Sequence, residues 1–165
     1  MTHEEPDFVE GLGPAFAAHL LRRISDELVE VDKLWHTERG VENPPRTSST
    51  LLALDERGPM SITGLAGLLR QSHQLVQQWV RELRSRGLVE IGPDPADGRR
   101  SIVSLTSEGS QQVDVLRRSL EPLEKATAAL LEDVAPGLYG ALWKLERRLR
   151  HEPLIARIRE ADGKN

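Results

Sequence analysis

The sequence predicts a mainly α fold with one small β-hairpin, and three observations carry that prediction. Apolar residues recur at helical spacing over long stretches near both ends of the 165-residue chain. Two shorter helical patterns, separated by a break of about three residues, occupy the middle. Directly after them, between Leu88 and Leu105, come a β-prone run, a dense turn signal and an alternating run.

Length and composition bound what such a chain can do. Residues 1–165 suit one compact domain, long enough to bury a core and too short to hold a catalytic domain beside it. Cysteine is absent, which removes disulfides, thiolate zinc sites and catalytic thiols. No stretch approaches the roughly 20 apolar residues of a membrane span, and the start, MTHEEPDF, lacks the basic-then-apolar order of a secretion signal. A cytoplasmic location with no membrane partner is the expectation. Net charge is −4, but Ser61 to Leu105 carries six Arg against four acids, leaving 16 basic and 22 acidic residues elsewhere. A locally positive middle in an acidic chain suits a nucleic-acid-reading module whose other faces repel the polyanion.

Taken in order, the chain opens with about ten polar residues and then a long helical pattern. Leu21, Ile24, Leu28, Val31 and Trp35 advance in alternating steps of three and four, the narrow seam of a coiled coil, and Leu12, Phe16 and Leu20 add a second stripe. Pro14 sits where a first helical turn accepts proline. The helix is expected to close at Trp35-His36, with His36 a surface or boundary residue, since no other His stands at metal-ligand spacing. Asn43-Pro44-Pro45 breaks the chain. Ser48 to Arg57 then reads as a short helix with Leu51, Leu52 and Leu54 inward, stopped by Gly58-Pro59.

Ser61 can cap the next helix, in which Ile62, Leu65, Leu68 and Leu69 form one apolar side. Ser72 opens a longer one that runs to about Arg86, with Gly87 as its stop signal. The break between the two is the joint of a helix-turn-helix. At about 100° per residue, Val76, Val80 and Leu83 share one side of the second helix with Trp79 beside them. His73, Gln74, Gln77, Gln78, Arg81 and Arg84 spread over the other. Gln can pair with the edge of adenine through both heavy atoms of its amide, and Arg can do the same with guanine or hold a phosphate. A merely solvated face would more often be built from Glu and Lys.

The hairpin supplies context for that face. Leu88-Val89-Glu90-Ile91 is β-prone, Gly92 to Gly98 is turn-forming, and Ser101 to Leu105 alternates, so the two strands form a wing. Arg99 and Arg100 lie at or just past its tip beside Asp97, a carboxylate near enough in sequence to steer one guanidinium. Such an Arg suits a narrow minor groove, where negative potential concentrates. After the wing, Thr106 or Ser107 caps a long helix with Val113, Leu116, Leu120, Leu123 and Leu130 near heptad spacing, which Pro122 is expected to kink. A helix from Pro136 to Arg150 follows, and after Pro153 a short amphipathic tail. The terminal segments, 8–37 and 107–158, hold more apolar seam than one small core can bury. A second copy of the chain is expected to cover them, which leaves 46–105 as the DNA-binding lobe.

The run LAGLLRQSHQLVQQWVRELRSRGLVE, followed by DPADGRRSIVSLTSEG, resembles the winged helix-turn-helix of the MarR family of bacterial transcriptional regulators. Leu65-Ala66, Ser72, Arg86-Gly87-Leu88-Val89, Asp97-Gly98-Arg99 and Leu105-Thr106 stand at the places of the family's pattern. The family's turn before that Ser usually carries Gly and then an apolar residue; this chain has Arg70 and Gln71, which makes Arg70 a further candidate for a phosphate contact. The resemblance implies a homodimeric, ligand-responsive regulator of a double-stranded operator, most often a repressor, with no cofactor. His73, Gln74, Gln77 and Gln78 then face base edges, Ser72 and Arg81 hold phosphate, and Arg99, oriented by Asp97 with Arg100 adjacent, enters the minor groove. The resemblance also implies a small aromatic or phenolic effector in the crevice between the reading lobe and the dimer helices, with Trp35, His36 and Ser48 nearest.

Other functions fare less well on the sequence. An enzyme is not expected: Ser72 and His73 are neighbours on one helix and cannot form a nucleophile-base pair, and no phosphate loop or metal cluster is present. The alternative is a winged helix that binds another protein and no DNA. A surface of that kind would tend to replace the Gln and Arg of the exposed face with apolar or aromatic anchors.

Overall fold

The computed structural model describes residues 7–163. Two compact units divide the chain, the first ending at Ser119 and the second beginning at Leu120. In the first, a four-residue helix α1 (Phe8–Gly11), capped by the Asp7 carboxylate, precedes a 3₁₀ turn at Pro14–Phe16 and the long helix α2 (Ala17–Arg39). The α2 helix runs a turn beyond the end expected at Trp35-His36, because the stop is made by Gly40 in the left-handed region at φ 68°. That extension corrects the placement of His36. The chain doubles back after Gly40 with Val41 N–H donating to His36 O, and the ring, only 4% exposed, sits 3.0 Å from Asn43 O through Nδ1.

A second 3₁₀ turn, Pro45–Thr47, leads into α3 (Ser48–Arg57), which ends at Gly58 as its sequence signals. Ser61 caps α4 (Ile62–Leu69) by accepting from Gly64 N–H, and Ser72 caps α5 (His73–Ser85) by accepting from Leu75 N–H. Each cap satisfies a donor that the first helical turn leaves without an intrahelical partner. The inward faces of α3, α4 and α5 meet in one core built from Leu51, Leu54, Leu65, Val76, Trp79, Val80 and Leu83. Ile62 and Leu69 pack against that core, but Leu68 turns outward, 46% exposed, so the apolar side of α4 is narrower than its sequence suggests.

Strands β1 (Val89–Pro93) and β2 (Ser101–Leu105) pair antiparallel, with Ile91 opposite Val103 and Pro93 opposite Ser101. Pairing thus extends through Gly92-Pro93, which composition alone assigns to the turn. Proline is tolerated there because β1 is an edge strand. On its other side β2 bonds to Met60, whose N–H and C=O both pair with Val103. Val89 and Val103 bury into the same core, so the wing's base is rigidly seated.

Helix α6 (Ser107–Val134) begins in the first unit and continues through Pro122. Its cap is Thr106, whose Oγ1 accepts from Gly109 N–H at 2.9 Å and donates to Gly87 O at 2.6 Å. Gly109 lies against the end of the recognition segment: a Cβ there would stand 1.9 Å from Leu88 O. Only glycine fits that contact. In the second unit, α7 (Leu138–His151) starts after Gly137 in the left-handed region, slightly later than Pro136, and α8 (Leu154–Ala161) follows Pro153. Tyr139 and Trp143 pack edge to face on α7 with centroids 6.4 Å apart. Among the described residues, no helix is long and apolar enough to cross a membrane.

Candidate nucleic-acid interface

The candidate recognition face is that of α5. Its apolar side, Val76, Trp79, Val80 and Leu83, is buried, and His73, Gln74, Gln77, Gln78, Arg81 and Arg84 are exposed on the other. The structure therefore brings the predicted reading residues onto one open surface. The Ser72 hydroxyl oxygen is engaged by Leu75 N–H at 3.2 Å, which leaves its proton to donate to an anion. Arg81 Nε donates to Gln77 O at 3.3 Å, so its stem lies along the helix while the guanidinium tip stays outward. Glu82, the one acid on the helix, is paired with arginines beside the reading face. Arg46 Nη2 lies 3.0 Å from its carboxylate and Arg86 Nη2 3.7 Å.

Arg70 completes the turn between α4 and α5 and is the one non-glycine residue with positive φ, 53°, among the described residues. At a cap position that glycine would take without strain stands an arginine, with its N–H turned back to Ala66 O and Gly67 O. The side chain is exposed beside the start of the recognition helix.

The wing loop closes on itself through Asp94 N–H to Arg100 O at 2.9 Å and Arg100 N–H to Asp97 O at 2.8 Å. Asp97 does steer a guanidinium, but it is that of Arg100, with Nε 3.3 Å from Oδ2. Its link to Arg99 runs through the main chain, Arg99 N–H donating to Oδ1 at 3.1 Å. The expected side-chain contact between Asp97 and Arg99 is therefore corrected. A carboxylate two residues ahead of an N–H forms an Asx turn more readily than it reaches the neighbour's side chain. Arg99 and Arg100 are both exposed.

The three residues singled out for an effector part company. Trp35 Nε1 donates to Ser119 O at 2.8 Å, and the Arg39 guanidinium lies 5.0 Å from its ring centroid. His36 and Ser48 are joined by Asn43, whose Nδ2 donates to Ser48 Oγ at 2.9 Å and whose carbonyl meets the imidazole. His36 and Asn43 line a cavity of about 380 Å³ together with Lys33, Arg46, Glu82 and Arg86, so the recognition helix forms part of its wall. Buried Asn43 Oδ1 finds no hydrogen-bond partner among the described residues. One turn before His36, burial holds the Asp32 carboxyl above the ordinary carboxylate range, against a smaller pull from the imidazole. Glu82 and Arg86, four residues apart at the end of α5, are a pair that spacing displays, whereas Arg46 comes from a separate segment and meets Glu82 only in the folded chain.

A model of the MarR family matches residues 44–100. The HTH-type transcriptional repressor NicR of Pseudomonas putida is 36% identical over 67 residues, which make up 41% of this chain and 42% of that repressor. The match thus spans less than half the length of this curated relative. A solved structure of a probable transcriptional regulator from Pseudomonas aeruginosa aligns with a TM-score of 0.64 at 28% identity, over 78% of this chain and 96% of that one. BpsR of Bordetella bronchiseptica, whose DNA binding is regulated by 6-hydroxynicotinic acid, shares the fold at 23% identity, with a TM-score of 0.66 over 89% of this chain and 98% of BpsR.

Proposed function

We propose that this chain, whose residues 44–100 match a model of the MarR family, is a sequence-specific, DNA-binding transcriptional regulator of the cytoplasm, a ligand-responsive repressor rather than an enzyme. The observation that carries the proposal is the open face of α5, which presents donors and acceptors without a carboxylate, next to a wing with two exposed arginines. His73, Gln74, Gln77 and Gln78 read base edges in the major groove. Ser72, Arg70 and Arg81 hold phosphates, and Arg99 enters the minor groove with Arg100 close behind.

The working form is a homodimer. Leu20, Leu21, Ile24, Val31 and Leu34 of α2 are exposed, as are Leu142, Trp143, Leu145 and Leu149 of α7 and Leu154, Ile155 and Ile158 of α8. Apolar surface on this scale calls for a partner, and a second copy covering both sets gives the two-fold symmetry that a palindromic operator mirrors. The effector site is the cavity beside His36 and Asn43, whose size suits a small aromatic or phenolic molecule. A molecule there would meet the side chains of Arg46, Glu82 and Arg86, and its arrival would act on α5 through Glu82 and Arg86.

Selection from a random duplex pool, with light scattering on the same sample, tests this function. The enriched sites should be inverted repeats with half-site centres roughly 10–11 bp apart, bound by a dimer. A pool that does not enrich, or a monomer at micromolar concentration, contradicts it.

A further inference from the structure

We infer that each operator half-site is A·T-biased on both grooves, because this chain's reading face is equipped for adenine and its wing for a narrow minor groove. The inference rests on the DNA-binding reading above and adds what the DNA must contain. In a helix-turn-helix the N-terminal part of the recognition helix lies deepest among the bases, and here that part is built around three exposed glutamines, Gln74, Gln77 and Gln78. Gln77 and Gln78 stand three and four residues after Gln74 and flank its position on the exposed side of the helix. A glutamine amide offers an acceptor and a donor together, which matches adenine N6-H and N7 and matches neither guanine, with two acceptors, nor cytosine, with a lone donor.

Two further facts narrow the choice. Cytosine is read by a carboxylate, and the helix's one carboxylate, Glu82, is paired with Arg46 and Arg86 beside the face. Guanine is read by a guanidinium, and Arg81 lies a turn further along the helix than the glutamines, its Nε donating to Gln77 O and its Nη groups outward. Arg81 and Arg84, in the C-terminal half of α5, reach the flank or a phosphate, and the centre of each half-site is left to the amides of the N-terminal half. The wing adds an independent preference. Arg99 is presented by a loop closed through its own backbone, and an arginine so placed gains most where A·T pairs narrow the minor groove and no guanine amino group obstructs it.

The test uses the full chain and the duplexes it selects, remade with hypoxanthine. An I·C pair resembles G·C in the major groove but lacks the amino group that marks G·C in the minor groove. Replacing A·T by I·C at the wing flanks should leave affinity within about twofold, and replacing it by G·C there should weaken binding. At the positions facing α5 both replacements should weaken binding by about tenfold, the scale of one lost bidentate pair. Gln78→Ala should abolish the adenine preference at one position per half-site, whereas Gln111→Ala, on α6, should leave every preference intact. Enriched half-sites centred on G·C, or adenine preferences unchanged in Gln74→Ala, Gln77→Ala and Gln78→Ala alike, would overturn the inference while leaving DNA binding standing. A pool with no enrichment would overturn both.

Discussion

Arg70 shows how one side chain can set stability against function. Its left-handed backbone, φ 53° and ψ 44°, costs a non-glycine residue on the order of 1–2 kcal/mol. Glycine would remove that cost, so Arg70→Gly should raise the unfolding free energy by about 1 kcal/mol in urea titration. The same substitution removes a positive charge beside the DNA, and duplex affinity measured at two salt concentrations should fall with a shallower salt dependence. A variant that is no more stable, or that binds as before, would separate Arg70 from both roles. The sequence exposes the missing glycine in the turn. That arginine itself takes the left-handed position is a matter of φ, which no spacing displays.

Asp97 behaves similarly at this scale. Reading the sequence identifies a carboxylate beside two arginines but cannot tell which bond wins, because the Asx turn to Arg99 N–H and the ion pair with Arg100 depend on the path of the loop. Asn keeps an oxygen for the turn and releases Arg100. Asp97→Asn should therefore bind duplex DNA at least as tightly as the parent, while Asp97→Ala, which loses the turn as well, should bind more weakly. Equal affinities in a titration of the two variants would remove the turn from the account.

Among the elements, α3, α4 and α5 were legible almost to the residue, because serine caps and glycine stops are local chemistry: Ser61 and Ser72 bond their own helices, and Gly58 and Gly87 take positive φ. Elements fixed by distant contacts were not. The last turn of α2 depends on Gly40 and on the buried His36, and β1 extends through Pro93 because an edge strand needs no donor there. Four-residue α1 is too short for any periodicity to register. The junction between α5 and α6 belongs with these: Thr106 and Gly109 clamp Gly87 and Leu88 across residues that the sequence places on opposite sides of the wing. A methyl group at Gly109 meets Leu88 O and must push the helix away. Gly109→Ala should lower stability by about 1–3 kcal/mol, the usual range for overpacking, and weaken specific DNA binding beyond what partial unfolding explains. A fully folded variant with parent affinity, measured by circular dichroism and titration together, would deny the junction a role in aiming α5.

For the whole molecule, charge and apolar pattern were the informative quantities. An acidic chain of net charge −4 carries a locally positive reading segment, six Arg against four acids from Ser61 to Leu105, and the long seams of α2, α7 and α8 emerge as exposed apolar faces. The candidate effector cavity was less legible. Of Trp35, His36 and Ser48 only His36 lines it, since its other walls come from α5 and from the loop around Asn43, segments that only the folded chain brings together. The central claim is that two copies of this chain grip DNA with α5 in successive major grooves and the wing outside them. Hydroxyl-radical footprinting on a selected duplex tests it most directly, with the parent beside Arg99→Ala. Protection should fall symmetrically about a dyad, in two central segments roughly 10–11 bp apart flanked by outer minor-groove segments, and Arg99→Ala should lose the outer segments alone. Protection without a dyad, or outer segments unchanged in Arg99→Ala, would contradict the account.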